Sequence, residues 1–231
     1  MLDYNLGINV VRILIGLSML LVASILDVRK REINDILWIG YGAVAVILII
    51  LSPDPWSTIK TVGISMIIAP IVLVIWRFGI FGGADAFCLI VLGTLAPIVS
   101  LQGDTITPLT TLTNAAIISI VPLFANLIRN LIALSRKEDI FNGLNETKLH
   151  KIMALFVGYR AKKPNHCFSM ERIEGNQRRF NLGLQHAETT EFCKASDTWV
   201  TPGIPYIIYI SFGFVVQVIY GDILLSILRS F

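Results

Sequence analysis

Apolar runs long enough to cross a bilayer as helices recur along this chain. They cover residues 6–26, 36–52, 58–78, 86–101, 106–128 and 199–221. Each can span a hydrocarbon core of about 30 Å once tilt and local thinning are allowed. Runs that recur in this way exclude a soluble domain behind a single secretory leader. With 15% charged residues and a mean hydropathy of +0.72, the composition is that of an integral membrane protein. Pro70, Pro97 and Pro122 fall inside the expected helices, where neighbouring helices can satisfy the freed carbonyls. Gly16, Gly40 and Gly42 are expected to allow close helix packing.

Lys and Arg set the expected orientation. With the 27–35 loop in the cytoplasm, all but Arg12, Lys60 and Arg229 of the 19 basic residues fall on the cytoplasmic side. That asymmetry predicts both termini outside, with Arg12 snorkelling outward from the first helix. The polar stretch 129–198 is too long for an ordinary loop. It predicts a small cytoplasmic subdomain with a helical piece near Lys148–Val157 and mobile segments around 160–183. The expected fold is therefore all-α, with six transmembrane helices. Residues 1–128 carry the first five helices, 129–198 the subdomain, and 199–231 the sixth helix and C-terminus.

Two carboxylates stand out against this topology. Asp27 lies at the end of the first span, and Asp85 follows Phe81-Gly82-Gly83-Ala84 at the start of the fourth. Both fall on the cytoplasmic side, at one expected depth. Ionisable side chains this close to hydrocarbon are rare and usually functional. Two aspartates sharing a proton can activate water against a peptide bond, one as base and the other as acid. Plainer readings fit the same pattern: Asp85 as a helix N-cap, and Asp27 as an ion-pair partner of Arg31. A helix C-terminus disfavours a carboxylate, which argues that Asp27 has a role there.

Asp27 with its basic neighbours, then Arg31-Glu32-Ile33-Asn34-Asp35, then Phe81-Gly82-Gly83-Ala84-Asp85, resembles the archaeal preflagellin (prearchaellin) and type IV prepilin peptidases. These are GxGD-type aspartic proteases of membranes. The resemblance extends to Trp199-Val200-Thr201-Pro202-Gly203-Ile204-Pro205 and to Gly221-Asp222. It implies a catalytic pair of Asp27 and Asp85, a catalytic loop of Gly82, Gly83 and Ala84, and cleavage of short basic leaders from pilin-like precursors. Ala84 stands where the motif has its second glycine. Arg31 and Asp35 are candidates for substrate contact or positioning. Arg29, Lys30 and Arg31 put the site near the cytoplasmic edge, which favours cutting there over the mid-membrane proteolysis of presenilin-like relatives. The competing class is an ion or proton carrier using the two aspartates as relay groups. A non-catalytic assembly factor for a pilus-like machine is a third option.

The expected partners are the precursor substrate and the lipid bilayer. No nucleic-acid module is read from the chain, and no cofactor or metal is implied, because two carboxylates and water suffice. His166, Cys167, His186 and Cys193 match no common zinc spacing. The basic stretch 160–179 could meet anionic headgroups. If the subdomain binds substrate, Glu171, Glu174, Glu188 and Glu191 are the expected contacts for a basic leader. Asp35 is expected to cap the second span, and Asp54, Asp104 and Asp222 to lie outside.

Overall fold

A computed structural model describes residues 2–97, 106–175, 177–183 and 190–230. Asp104, His186 and Glu188 lie outside the described residues. The chain forms α1 (Leu2–Lys30), α2 (Asp35–Ile50), α3 (Pro55–Ser65), α4 (Ile68–Arg77), α5 (Gly83–Leu95), α6 (Thr107–Ile118), α7 (Val121–Ser135), α8 (Lys148–Val157), β1 (Tyr159–Ala161), β2 (Cys167–Ser169), β3 (Glu171–Glu174), β4 (Gln177–Phe180), β5 (Thr198–Pro202), α9 (Tyr206–Tyr220) and α10 (Ile223–Leu228). They divide into two compact units, one of Met1–Ile118 with Pro205–Phe231 and one of Ser119–Ile204.

The first unit is a helix bundle around α5, which packs on α1, α2, α3, α4, α6 and α9. Ala86, Cys88, Leu89, Val91, Leu92 and Leu95 of α5 are all buried. Around this apolar core, the bundle departs from the usual soluble pattern. Ser65, Thr107, Thr111, Asn114 and Gln217 are buried, while Ile36 and Ile39 are about 70% exposed (71% and 70%) and Trp56 is 74% exposed. Apolar side chains outside and hydrogen-bonding ones inside suit hydrocarbon surroundings, where polar groups must find partners within the protein.

The six expected spans resolve unevenly. Among the described residues, three helical stretches are long and apolar enough to cross a membrane: Gly7–Lys30, Pro55–Arg77 and Thr107–Ser135. The apolar helices α2, α5 and α9 are shorter. Each expected internal proline sits at a break. The Pro70 ring opposes the Met66 carbonyl, and α3 hands over to α4 at Met66–Ile67. Pro122 opens α7 just after α6 ends, and α5 stops two residues before Pro97. The helix expected over 199–221 begins only at Tyr206, after Pro202 and Pro205, and Trp199 belongs to a strand.

Arg12 does not snorkel outward. It is 4% exposed, and its guanidinium donates to Leu95 O at 2.8 Å and Leu48 O at 3.2 Å. Helix C-termini leave carbonyls without intrahelical donors, and a guanidinium carries five N–H groups in a fixed fork. The α1 N-terminal half thereby ties down the C-terminal ends of α2 and α5. On the other side of the unit, Gly213 lets α9 approach α6. A Cβ there would come within 2.5 Å of Thr111 O. Asn114 then donates to Gly221 O at 3.0 Å and accepts from Ile223 N–H at 3.0 Å, fixing the α9–α10 corner. Gly16 packs closely against Leu92 and Phe214, as expected, whereas Gly40 and Gly42 meet nothing.

The second unit corrects the all-α expectation. It holds a three-stranded antiparallel sheet in the order β1-β5-β2 and a β3–β4 hairpin, where mobile segments were expected. The helical piece appears as α8, with the expected bounds. Trp199 is the centre of this unit. Its ring stacks on Phe141 at 5.2 Å and meets Phe180 edge-on at 5.3 Å, and its Nε1–H donates to Ile140 O at 2.7 Å. Asn126 and Asn130 of α7 donate to Phe156 O and Leu155 O near the end of α8. Glu146 accepts from the Phe180 amide and pairs with His150 at 2.7 Å. Burial of this carboxyl opposes ionisation, but hydrogen bonds from His150 and Phe180 outweigh it and hold the group below its usual range.

Two outcomes are expected. Arg12→Met should destabilise the bundle by about 2–3 kcal/mol, because two helix-end carbonyls lose a charged donor; denaturant titration in detergent reads this. Glu146 has a folded pKa below its unfolded value of about 4.3. Its contribution is therefore present above that value and lost as pH falls through the folded one. Acid unfolding followed at Trp199 should be shallower below about pH 4 in Glu146→Gln than in the wild type.

Candidate active site

Asp85 is the N3 residue of α5, and Gly82 is its N-cap, with φ −75° and ψ 157°. Gly82 has no side chain to cap with, so only half of a capping box forms. The Asp85 Oδ2 accepts from Gly82 N–H at 3.0 Å. Asp85 is thus not the N-cap itself, as one plain reading of the sequence had it; from N3 its carboxylate reaches back to the N-cap amide. One oxygen is engaged at the helix N-terminus, where a carboxylate is favoured. The residue is 9% exposed, which is unusual for a cap that is nothing more. Upstream, Phe81 is buried and packs on Tyr206 at 4.8 Å between ring centres, anchoring the loop to the start of α9.

Asp27 lies in the last turn of α1, half-buried. The helix runs on to Lys30 and closes with Arg31 in the left-handed region (φ 58°), whose N–H donates to Asp27 O at 3.0 Å. The Arg31 side chain is within electrostatic reach of the Asp27 carboxylate. Arg29 and Lys30 in the same turn offset the unfavourable carbonyl dipole.

The Arg12 clamp brings the two aspartates to one end of the bundle. It joins the beginning of α1 to the end of α5, so these helices run antiparallel. Gly16 against Leu92 agrees with this. From that contact, Asp27 is about 16 Å along α1 and Asp85 about 10 Å along α5. Asp27 thus stands about one turn (~5 Å) nearer the end. Helical side chains tilt toward the N-terminus. In an antiparallel pair, this leans Asp27 back into the bundle and Asp85 out toward the end, which narrows the difference. Both carboxylates act electrostatically on the Cys88 thiol, one turn below Asp85. One turn before Asp27, the Ser24 and Ser211 hydroxyls are hydrogen-bonded at 2.9 Å and join α1 to α9.

The remaining expected residues are distributed unevenly. Gly83 and Ala84 form the half-buried first turn of α5. Asp35 is exposed in the first turn of α2 and does not cap it. The cap is Asn34, whose Oδ1 accepts from Ile36 N–H at 2.9 Å. Asp54 and Asp222 cap α3 and α10. Glu171 and Glu174 are already engaged and make poor contacts for a leader. Glu171 pairs with Arg178 at 2.7 Å and accepts from Trp199 N–H, while Glu174 pairs with Arg172 at 2.9 Å.

Sequence reading missed Cys88, Tyr206 and Trp38 as neighbours of this end. Trp38 and Asp85 precede their clamped carbonyls, Leu48 and Leu95, by equal lengths of helix, about 15 Å. Trp38 therefore lies near the level of Asp85 on the adjoining α2. It is 5% exposed, and its Nε1–H has no hydrogen-bond partner among the described residues. Cavities formed by the described residues lie away from Asp27 and Asp85. One of about 430 Å³ adjoins Arg12 and Asp54, and one of about 1230 Å³ adjoins Arg129 and Arg160. The candidate site is thus marked by buried charge and converging helix ends, with neither cavity lined by either aspartate.

Residues 14–124 match the type IV leader peptidase family, and residues 150–223 match the archaeal peptidase A24 C-terminus, type II. The chain is 30% identical to a preflagellin peptidase of Methanococcus maripaludis, over 94% of this chain and 98% of that protein. It is 25% identical to a preflagellin peptidase of Methanocaldococcus jannaschii, over 95% and 98%. The corresponding figures for a preflagellin peptidase of Methanococcus voltae are 26%, 93% and 97%.

The cap geometry separates the structural part of Asp85 from any chemical one. Asp85→Asn keeps an acceptor for Gly82 N–H and should leave the thermal midpoint near wild type. Asp85→Ala should cost about 1 kcal/mol. Thermal unfolding of the purified variants checks both.

Proposed function

This chain belongs to the type IV leader peptidase family, and on that premise we propose that it is a membrane-embedded aspartic endopeptidase whose catalytic pair is Asp27 and Asp85. Its substrates are preflagellin- or prepilin-like precursors, cut between a short basic leader and the apolar helix that follows. The supporting observation is the convergence of two carboxylates from different helices on one end of the bundle, both acting on Cys88. A proton relay would string its carboxylates across the membrane, so this arrangement favours hydrolysis.

The chemistry follows from the pair. One ionised aspartate takes a proton from a water molecule as the water attacks the scissile carbonyl. The other, protonated, donates to the carbonyl oxygen as it gains charge. Collapse of the tetrahedral intermediate breaks the C–N bond, and a proton passes to the leaving amine. The peptide bond at a helix edge is accessible, whereas one inside a membrane helix is shielded and hydrogen-bonded. Gly82, Gly83 and Ala84 hold Asp85 at the α5 N-terminus. Arg31 orients Asp27, and exposed Asp35 meets the basic leader. In this reading the chain crosses the membrane six times, with both termini outside, the site facing the cytoplasm, and residues 129–198 on that side.

Membranes holding the protein, incubated with a tagged precursor, should yield a shortened product. Asp27→Asn and Asp85→Asn should each lower the cleavage rate by about 10²–10⁴-fold while the protein stays in the membrane. Normal processing by either variant would contradict the assignment.

A further inference from the structure

Helix α8 carries its apolar stripe on the wrong side for a helix of a soluble domain. Leu149, Ile152, Met153, Phe156 and Val157 follow the spacing of a single helical face. That face points away from the unit's core: Leu149 is 65% exposed, Ile152 54%, Met153 45% and Val157 39%. The side that packs inward is Ala154, fully buried among Ile140, Leu144, Met170, Phe180 and Trp199. The core would therefore be complete without the stripe.

The charges suggest what covers it. Lys148 and Lys151 are the only fully charged side chains on the helix, and both are basic. The nearby carboxylate of Glu146 is occupied by His150 and the Phe180 amide. Arg136 and Lys137 are exposed where α7 ends. The stripe also continues an apolar surface on α7, to which α8 is tied by Asn126 and Asn130. There Ile128, Leu131, Ile132 and Leu134 are exposed, on a stretch apolar enough to cross a membrane. Lys148 flanks the stripe, whereas Lys151 lies on the far side of α8 with its Nζ 5.3 Å from the Phe141 ring centre. An apolar stripe flanked by basic residues is the pattern of a helix lying in the lipid headgroup region.

We propose that α8 is an interfacial helix, seated with Leu149, Ile152, Met153 and Val157 in the headgroup layer of a bilayer carrying anionic lipid. It would hold the second unit against the membrane surface. The proposal rests on the reading of the chain as membrane-embedded.

The test uses the full-length protein in vesicles of phosphatidylcholine with phosphatidylglycerol. A photoreactive side chain is placed at Met153, at Leu21 on the exposed side of α1, or at exposed Asn142 of the second unit. Adducts are identified by mass spectrometry after illumination. The expected result is lipid adducts at 21 and 153, with a yield at 153 several-fold above that at 142 and lower in vesicles without phosphatidylglycerol. Adducts at 21 with none at 153, equal yields at 142 and 153, or a yield at 153 indifferent to phosphatidylglycerol would overturn the proposal alone. A protein adduct at 153, to a second copy or to the chain's own helices, would overturn it too. No lipid adduct at 21 would remove the membrane-embedded reading as well.

Discussion

The Arg12 guanidinium, on a residue only 4% exposed, is held between carbonyls at the ends of two helices. An unpaired charge in such a place is costly, and helix-end carbonyls without donors are costly as well. Together they offset one another, which explains how a basic residue persists inside an apolar helix. The geometry has a longer reach than its energy. By tying α1 to the ends of α2 and α5, it determines which residues share a level at the other end. Asp27, Trp38 and Asp85 gather there because helices of fixed rise start from a common plane.

Helix α5 is short and enclosed by protein. It is surrounded by other helices and ends before Pro97, with Arg12 taking the Leu95 carbonyl. Its N-terminus carries Asp85 within the protein, where the helix dipole and the Gly82 amide meet the carboxylate. Asp27 has the opposite situation, at the carbonyl end of its helix. Arg31 and the basic turn provide there the compensation that the backbone cannot. The two carboxylates thus sit in electrically unlike surroundings, an arrangement suited to unlike roles in one reaction.

Much of this was legible in the sequence, and the gaps have physical causes. Hydrophobic runs located the apolar helices because a sustained apolar stretch is a strong compositional trace. The α8 bounds were legible because its apolar residues recur at helical spacing. Trp199 was read into a membrane helix because hydropathy does not distinguish a strand inside a small core from a span; the prolines at 202 and 205 were the available signal. Strands β3 and β4 carry too many charged residues for hydropathy to mark them, while β1 and β2 have three residues each and pair non-locally with β5. Arg12 was read as reaching outward because its acceptors are backbone carbonyls, which no residue identity announces. The aspartates were visible as charges at the ends of apolar runs, whereas Cys88 and the packing of Phe81 on Tyr206 needed three dimensions.

The account depends on Asp27 and Asp85 working at one place. Bridging them with a short bifunctional thiol reagent, in a full-length Cys88→Ala variant carrying Asp27→Cys and Asp85→Cys, measures this directly in membranes. The account predicts an intramolecular bridge between positions 27 and 85. Thiols that each react singly yet never become joined would contradict it.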